Sequence, residues 1–250
     1  MKIAISQPTY LPWLGYFDLI DQVDVFVVLD TVQFEKRSWQ QRNRIKTPSG
    51  LSWLTVPVAV HGRFEQAIHD VTICEERFSQ KHLRSLEANY AHAPFFHSHI
   101  SALSSILGQS LQGTRLIDLN LRLLGWLMQV LGITTPLVLA SALQQAGKRT
   151  ELLANICRKL DASDYLSPLG SAEYLLDEMQ IFSDYYVEVV FQNYTHPEYK
   201  QMFPPFVPYA CVLDLVFNEG ERSMEIIRSG RGKPFLPREV PARVAECKTI

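Results

Sequence analysis

The segment "DTVQFEKRSWQQRNRIKTPSG", Asp30 to Gly50, brings cationic and planar side chains together over a short distance. Lys36, Arg37, Arg42, Arg44 and Lys46 fall within eleven residues, against a single acid, Glu35. Trp39 stands among them, with Gln40, Gln41 and Asn43. The planar guanidinium fork matches phosphate and carboxylate oxygens. An indole offers a stacking face to a base or a sugar. With amides interleaved, the pattern suits a phosphorylated, planar ligand such as a nucleotide or nucleotide-sugar. A solvated basic loop with Trp39 tucked onto the core is the plainer alternative.

A second stretch, "QPTYLPWLGYFDLI", Gln7 to Ile20, lies between the first apolar run and the first helix. Pro8 and Pro12 fix backbone φ and remove donors, so this loop is stiff. Gly15 permits close approach of a backbone or a ligand. Gln7 and Tyr10 are expected to face a crevice. Trp13 and Phe17 are expected to pack the helix onto a sheet. A third loop, "LSPLGS", supplies Ser167, Gly170 and Ser171, small residues whose amides suit an anion at a helix N-terminus. It has neither the six-position glycine fingerprint nor a P-loop lysine, and capping alone would explain Ser171. His196, in "YTHPEYKQMF", precedes a proline and is a candidate general base. Asp214 and Asn218 share a helix face at i, i+4 spacing and read as a structural tie.

Other chemistry is not suggested. HExxH, GxSxG and clustered Asp-x-Asp patterns are absent. His97 and His99 fall on different helix faces, so no metal site is expected. The four cysteines, Cys74, Cys157, Cys211 and Cys247, form no CxxC pair and read as reduced thiols of a cytoplasmic protein. A net charge of −2 gives no global pull toward nucleic acid or an anionic membrane. No apolar run reaches the ~18 residues that a spanning helix needs, and "MKIAISQP" lacks the features of a signal peptide.

Apolar runs and helical patterns alternate along the 250 residues. Strands are expected at Lys2–Ser6, Val25–Leu29, Trp53–Val60, around "PLVLAS", at "DYLS" and at Tyr186–Phe191. Helices are expected at Leu14–Asp21, at "ELLANICRKL" with Thr150 as its cap, from Ser171 to Phe182, around Cys211–Asn218 and around Met224–Arg228. Phe78, His82, Leu83, Leu86 and Tyr90 share one face of a further helix, and Gly132 is placed to end another. The alternation indicates an α/β fold with a Rossmann-like, mainly parallel sheet. Residues 1–230 are expected to form one domain, with a helical insertion or lid at about 78–132 and a loosely ordered tail at 231–250. Ligands of such folds bind at the carboxyl ends of the strands.

"ISQPTYLPWLGYFDLI", "DTVQFEKRSWQQRNRIKTPSG", "WLTVPV", "YLSPLGSAEYL", "YTHPEY" and "LDLVFNEG" together resemble the WbqC-like family, over nearly the whole chain to about Arg228. Members occur beside bacterial surface-polysaccharide genes. The resemblance implies a transferase that modifies an activated amino sugar by acyl or aminoacyl transfer. Its motif positions here are Gln7, Pro8, Tyr10, Pro12, Gly15, Asp30, Gln33, Lys36, Trp39, Arg42, Asn43, Arg44 and Lys46. The opening is also similar in layout to pantothenate synthetase and other nucleotidylyltransferase-like enzymes. Trp13 and Tyr16 stand here where those have the histidines of His-x-Gly-His, and no Lys-Met-Ser-Lys-Ser-type loop follows.

The expected assignment gives Gln7, Asp30 and His196 to the reacting centre. Tyr10, Gln33, Lys36, Trp39, Arg42, Asn43, Arg44, Lys46, Ser167 and Gly170 go to substrate. No metal and no resident cofactor are expected, the donor of the transferred group being a co-substrate. Two alternatives stay open: ATP-dependent ligation or nucleotidyl transfer, and ligand binding without turnover.

Overall fold

The computed structural model describes residues 1–109 and 112–240. Cys247 and the end of the expected tail lie outside the described residues. In chain order the elements are β1 (Lys2–Ser6), α1 (Leu14–Asp21), β2 (Val25–Val28), β3 (Arg42–Thr47), β4 (Gly50–Thr55), α2 (Phe78–Tyr90), α3 (Phe96–Gly108) and α4 (Leu116–Leu131). There follow β5 (Leu137–Leu139), α5 (Ala140–Leu143), α6 (Thr150–Lys159), β6 (Asp164–Ser167), α7 (Ala172–Leu175), α8 (Gln180–Ser183), β7 (Glu188–Phe191), α9 (Val212–Glu219) and α10 (Ser223–Ser229).

Five strands form a parallel sheet in the order β5-β2-β1-β6-β7. The fold is α/β with a Rossmann-like layout. The central strands are apolar on both faces, as parallel strands covered by helices must be. Ala4, Phe26, Val28 and Leu166 join one hydrophobic cluster, which takes in α1 to α4 and α9. Ile3, Ile5, Val27, Leu29, Tyr165 and Phe191 face the other way, toward α6 to α8.

The expected strand Trp53–Val60 is a correction. Its first residues belong to β4, which pairs antiparallel with β3 in a separate two-stranded sheet. The reason is the turn "TPSG". Gly50 takes φ 105, and the Thr47 hydroxyl donates to the Gly50 carbonyl at 2.9 Å. The basic segment is therefore half loop and half strand.

The helical block is no detached lid. Phe78, His82, Leu86 and Tyr90 of α2 are buried on one stripe, and α2, α3 and α4 share the core cluster of the sheet. Gly132 ends α4 at φ 69, where a side chain would be strained. The block supports the hairpin directly. Asn120 of α4 donates to the Gln40 carbonyl at 2.9 Å, and the Lys46 amide donates to Tyr90 Oη at 2.8 Å.

Three further expectations change. Thr150 is the first residue of α6 rather than its cap, and its buried hydroxyl has no partner. The helix expected from Ser171 to Phe182 is broken into the four-residue turns α7 and α8, and Ser171 makes no side-chain cap. Residues 231–240 are packed, not loose. Arg231 pairs with the buried Asp18 at 2.7 Å, Phe235 bridges to Phe191 on the sheet edge, and Val240 is fully buried.

Candidate functional site

The chain leaves β1 toward β2 on one side and β6 toward β7 on the other. The carboxyl ends of β1 and β6 thus form a topological switch point, where open α/β sheets bind ligands. A cavity of about 330 Å³ opens there, at the lower end of the size of small-molecule sites. Its inner wall is Ile5, Leu29 and Tyr165, on one face of the sheet, with Leu153 of α6 across from them. Gln7, Glu35, Trp39 and Gly170 form the rim.

Several hydrogen bonds fix that rim. Gln40 Nε2 donates to Gln7 Oε1 at 2.8 Å, and the Tyr10 amide donates to the Trp39 carbonyl at 2.9 Å. The Tyr16 hydroxyl holds the Gln7 carbonyl at 3.1 Å. Asn43 Nδ2 reaches the carbonyls of Tyr10 and Leu11 at 3.2 and 2.7 Å, which holds Leu11 at a positive φ of 45. The first loop and the basic segment are thus one rigid unit.

Beside the crevice lies an aromatic and cationic platform. Trp39 and Trp53 are each 43% exposed, with ring centroids 5.2 Å apart. Arg42 and Arg44 project from the same face of β3. The Arg42 guanidinium lies 4.1 Å from the Trp53 ring, and that of Arg44 lies 5.2 Å from Trp39 and 5.5 Å from Trp53. Among the described residues neither arginine has a carboxylate partner, and each Nε is buried without an acceptor. Burial pushes the Arg44 pKa down. Arg115, Arg222, Arg228 and Arg231, by contrast, each pair with a carboxylate.

Of the residues expected at a site, Gln7, Trp39 and Gly170 line the crevice. Arg42 and Arg44 flank it, and Lys36 is exposed on the same segment. The others lie elsewhere. Tyr10 does not wall the crevice. It is fully buried, and its hydroxyl donates to His82 Nδ1 at 2.8 Å. Asn43 spends its amide on the first loop. Lys46 is buried, and its charge acts on the buried Asp214 rather than on an open surface. Gln33 is exposed and donates to the Phe64 carbonyl at 2.7 Å. Ser167 is buried at the end of β6, with its hydroxyl on the Pro168 carbonyl at 3.2 Å.

The two expected bases are also placed apart from the crevice. Asp30 is 1% exposed, and its carboxylate accepts from the Ser141 amide and hydroxyl at 2.9 and 2.6 Å. It joins β2 to the start of α5. His196 lies among Trp13, Tyr199, Phe206 and Tyr209. Its Nδ1 donates to the Pro197 carbonyl at 2.9 Å, and burial lowers its pKa, so the ring is neutral. Gly15 is needed for packing, because the Trp13 ring fills the space where a Cβ would stand. Asp214 is the structural tie expected, accepting from Tyr90, Tyr199 and Gln201 at 2.7–2.8 Å.

Glu35, Tyr165 and Tyr174 line the crevice without having been singled out for it. Their signals were present. Glu35 is the acid that directly precedes the cations of the basic segment, and the two tyrosines bracket "LSPLGS".

The model of the WbqC-like protein family matches residues 7–226. The chain belongs to the WbqC-like protein family. The match begins at Gln7, so of the crevice lining it leaves out only Ile5 and Ser6. The WbqC-like chain is also 40% identical over 228 residues to a protein of Mycobacterium tuberculosis (strain ATCC 25618 / H37Rv), the "Uncharacterized protein Rv1507c". That alignment covers 91% of this chain and 97% of the relative. No solved structure gives a significant match to this WbqC-like protein. Among its described residues no helix is long and apolar enough to cross a membrane, and no three or more His, Cys, Asp or Glu side chains gather as a metal site would require.

Proposed function

We propose that this WbqC-like protein is a transferase acting on a nucleotide-linked amino sugar, or a similar phosphorylated substrate, in bacterial surface-polysaccharide biosynthesis. The observation that carries the reading is the pair Arg42 and Arg44. Two half-buried guanidiniums with no carboxylate partner among the described residues lie against two half-exposed indoles, beside a switch-point crevice. Desolvating a cation without a counter-ion is costly, and a phosphate would supply that counter-ion. The faces of Trp39 and Trp53 suit a base or a sugar ring.

The group to be modified then enters the crevice past Trp39. Acyl or aminoacyl transfer to an amine or hydroxyl needs a base to take the proton of the attacking atom. Among the described residues Glu35 is the one carboxylate on the lining, and it takes that role in place of Asp30 and His196. Gln7, tethered by Gln40, orients the substrate. Rate enhancement comes from positioning and from the arginine charges. The acyl or aminoacyl donor is a co-substrate. A cytoplasmic location is in keeping with the free thiols of Cys74, Cys157 and Cys211.

The test is native mass spectrometry of protein purified without added ligand from a polysaccharide-producing host. The expected adduct has the mass of a nucleotide-linked sugar and disappears in the Arg42→Ala, Arg44→Ala double variant. Release of pyrophosphate on incubation with ATP would favour the ligase or nucleotidyltransferase reading instead. Retention of the same adduct by the double variant would remove the platform from the site.

A further inference from the structure

We propose that the crevice is a subsite for the sugar ring, with Tyr174 as the wall across from Trp39 and Glu35 as the group that selects a free amine on that ring. This assignment rests on the nucleotide-linked reading above. It names which ring enters the crevice and which amino sugars qualify.

The two flanks of β1 supply the walls. Glu35, Ser38 and Trp39 come from the chain after β2, and Ser171 and Tyr174 from the chain after β6. Tyr174 stands on α7, which packs on the same face of the sheet as the crevice. Its phenol lies near enough to that of Tyr165 on the inner wall to act on it electrostatically, so the Tyr174 ring reaches inward. Trp39 and Tyr174 are thus two partly exposed rings on opposite sides of β1. The hydroxyls of Ser6, Thr9, Ser171 and Tyr174 make no hydrogen bond among the described residues, and none of the four oxygens is buried, so all are open to a ligand. Gln7 Oε1 is taken by Gln40, which leaves the Gln7 N–H groups to donate. The Glu35 carboxylate has no cationic partner among the described residues.

These groups suit a polyol. Each hydroxyl both donates and accepts, as sugar hydroxyls do, and aromatic faces take the C–H face of a pyranose. A phosphate would find no cation among the lining residues described, whereas Arg42 and Arg44 stand on the platform beyond Trp39. The ligand therefore lies with its diphosphate at the arginines, its base on the indole platform and its sugar in the crevice. Glu35 makes the final selection. A carboxylate without a counter-ion favours an ammonium, through a charge-assisted hydrogen bond that an N-acetyl group does not offer in that strength. The sugar accepted is one whose amine is unacylated, as the acceptor in an acyl or aminoacyl transfer must be.

The experiment is calorimetric titration of the full chain with UDP- and dTDP-linked glucosamine, each beside its N-acetyl form and its parent nucleotide. In wild type at least one free-amine sugar should bind about tenfold more tightly than both its N-acetyl form and its parent nucleotide, as one charge-assisted contact implies. Glu35→Gln should shrink the preference over the N-acetyl form to roughly threefold or less. Tyr174→Ala should remove most of the gain over the parent nucleotide, and Tyr174→Phe, which keeps the ring, should retain most of it. A sugar that adds nothing to the parent nucleotide, or an amine preference unchanged in Glu35→Gln, would overturn the subsite and leave the platform standing. Loss of UDP binding itself in Tyr174→Ala, with Tyr174→Phe unaffected, would put the base in the crevice and overturn it as well. Methyl glucosaminide is the probe of the crevice alone, followed by saturation-transfer NMR. Its binding, weakened in Glu35→Gln, without binding of any nucleotide would keep the subsite and remove the nucleotide-linked reading. No binding of either kind would remove both.

Discussion

Gln40 Nε2 donates to Gln7 Oε1 at 2.8 Å, across 33 residues of chain. This bond joins the two segments whose composition marked them for chemistry. It places them together at the carboxyl end of β1, where the sheet topology opens a crevice. Gln7 is exposed and Gln40 is 2% exposed, so one amide anchors and the other presents.

Gln7→Ala should cost some stability and most of the ligand response. The change leaves the buried Gln40 Nε2 without its acceptor, so it should cost about 1–3 kcal/mol. It should abolish most of the rise in melting temperature that a bound nucleotide-sugar gives wild type. Thermal melts with and without the ligand measure both quantities. A full ligand-induced rise in the variant would take Gln7 out of the site.

Tyr10 should behave in the opposite way toward ligand. Its ring is fully buried and its hydroxyl donates to His82. Tyr10→Ala should cost about 3–5 kcal/mol through the cavity it leaves. Tyr10→Phe should cost about 1–3 kcal/mol, because His82 Nδ1 is left without its donor. Tyr10→Phe should keep the full ligand response. Urea denaturation measures the first two, and a loss of ligand response at unchanged stability would return Tyr10 to the crevice.

His82 makes the protein sensitive to acid. Its Nε2 donates to the Thr55 carbonyl at 3.2 Å, Nδ1 accepts from Tyr10, and burial pushes its pKa down to about 4. An imidazole in the unfolded chain titrates near ~6.5. Between those values the unfolded state binds the extra proton, so stability rises with pH across the window and falls on acidification through it. The whole window is worth up to about 3 kcal/mol. His196, lowered by burial as well, acts in the same direction. Denaturant melts at pH 7 and pH 5 should show a smaller loss for His82→Gln than for wild type. Equal losses would mean that His82 is not the group responsible.

The parallel sheet was legible because its strands carry short apolar runs, such as "IAI" in β1 and "VFVVL" at β2, in alternation with helical patterns. The stripe on α2 and the stop at Gly132 were legible because they are local patterns. β3 was not, since "RNRIKT" alternates charged with buried residues and only Asn43, Ile45 and Lys46 turn inward. A strand written in arginines looks like a loop until its hairpin partner is known. The buried polar residues were hidden for a different reason. Asp30 is explained by Ser141, Tyr10 by His82 and Lys46 by Tyr90 and Asp214, partners 44 to 168 residues away. Local spacing carries no trace of such pairs, so polar side chains that hold the fold resemble ligand groups. The segment 231–240 looked loose for want of apolar periodicity, and it is held instead by Arg231 on Asp18 and Asp21.

The most direct test of the central claim is calorimetric titration of wild type, Arg42→Ala and Arg44→Ala with a panel of UDP- and dTDP-linked hexosamines. Each arginine has no carboxylate partner among the described residues, so its removal should leave the melting temperature near that of wild type. Loss of a charge-assisted contact to phosphate costs about 1.5–3 kcal/mol. Wild type should bind at least one member of the panel, and each variant should bind it roughly ten- to a hundredfold more weakly. Unchanged affinity in both variants, or no binding of any nucleotide-linked sugar by wild type, would contradict it.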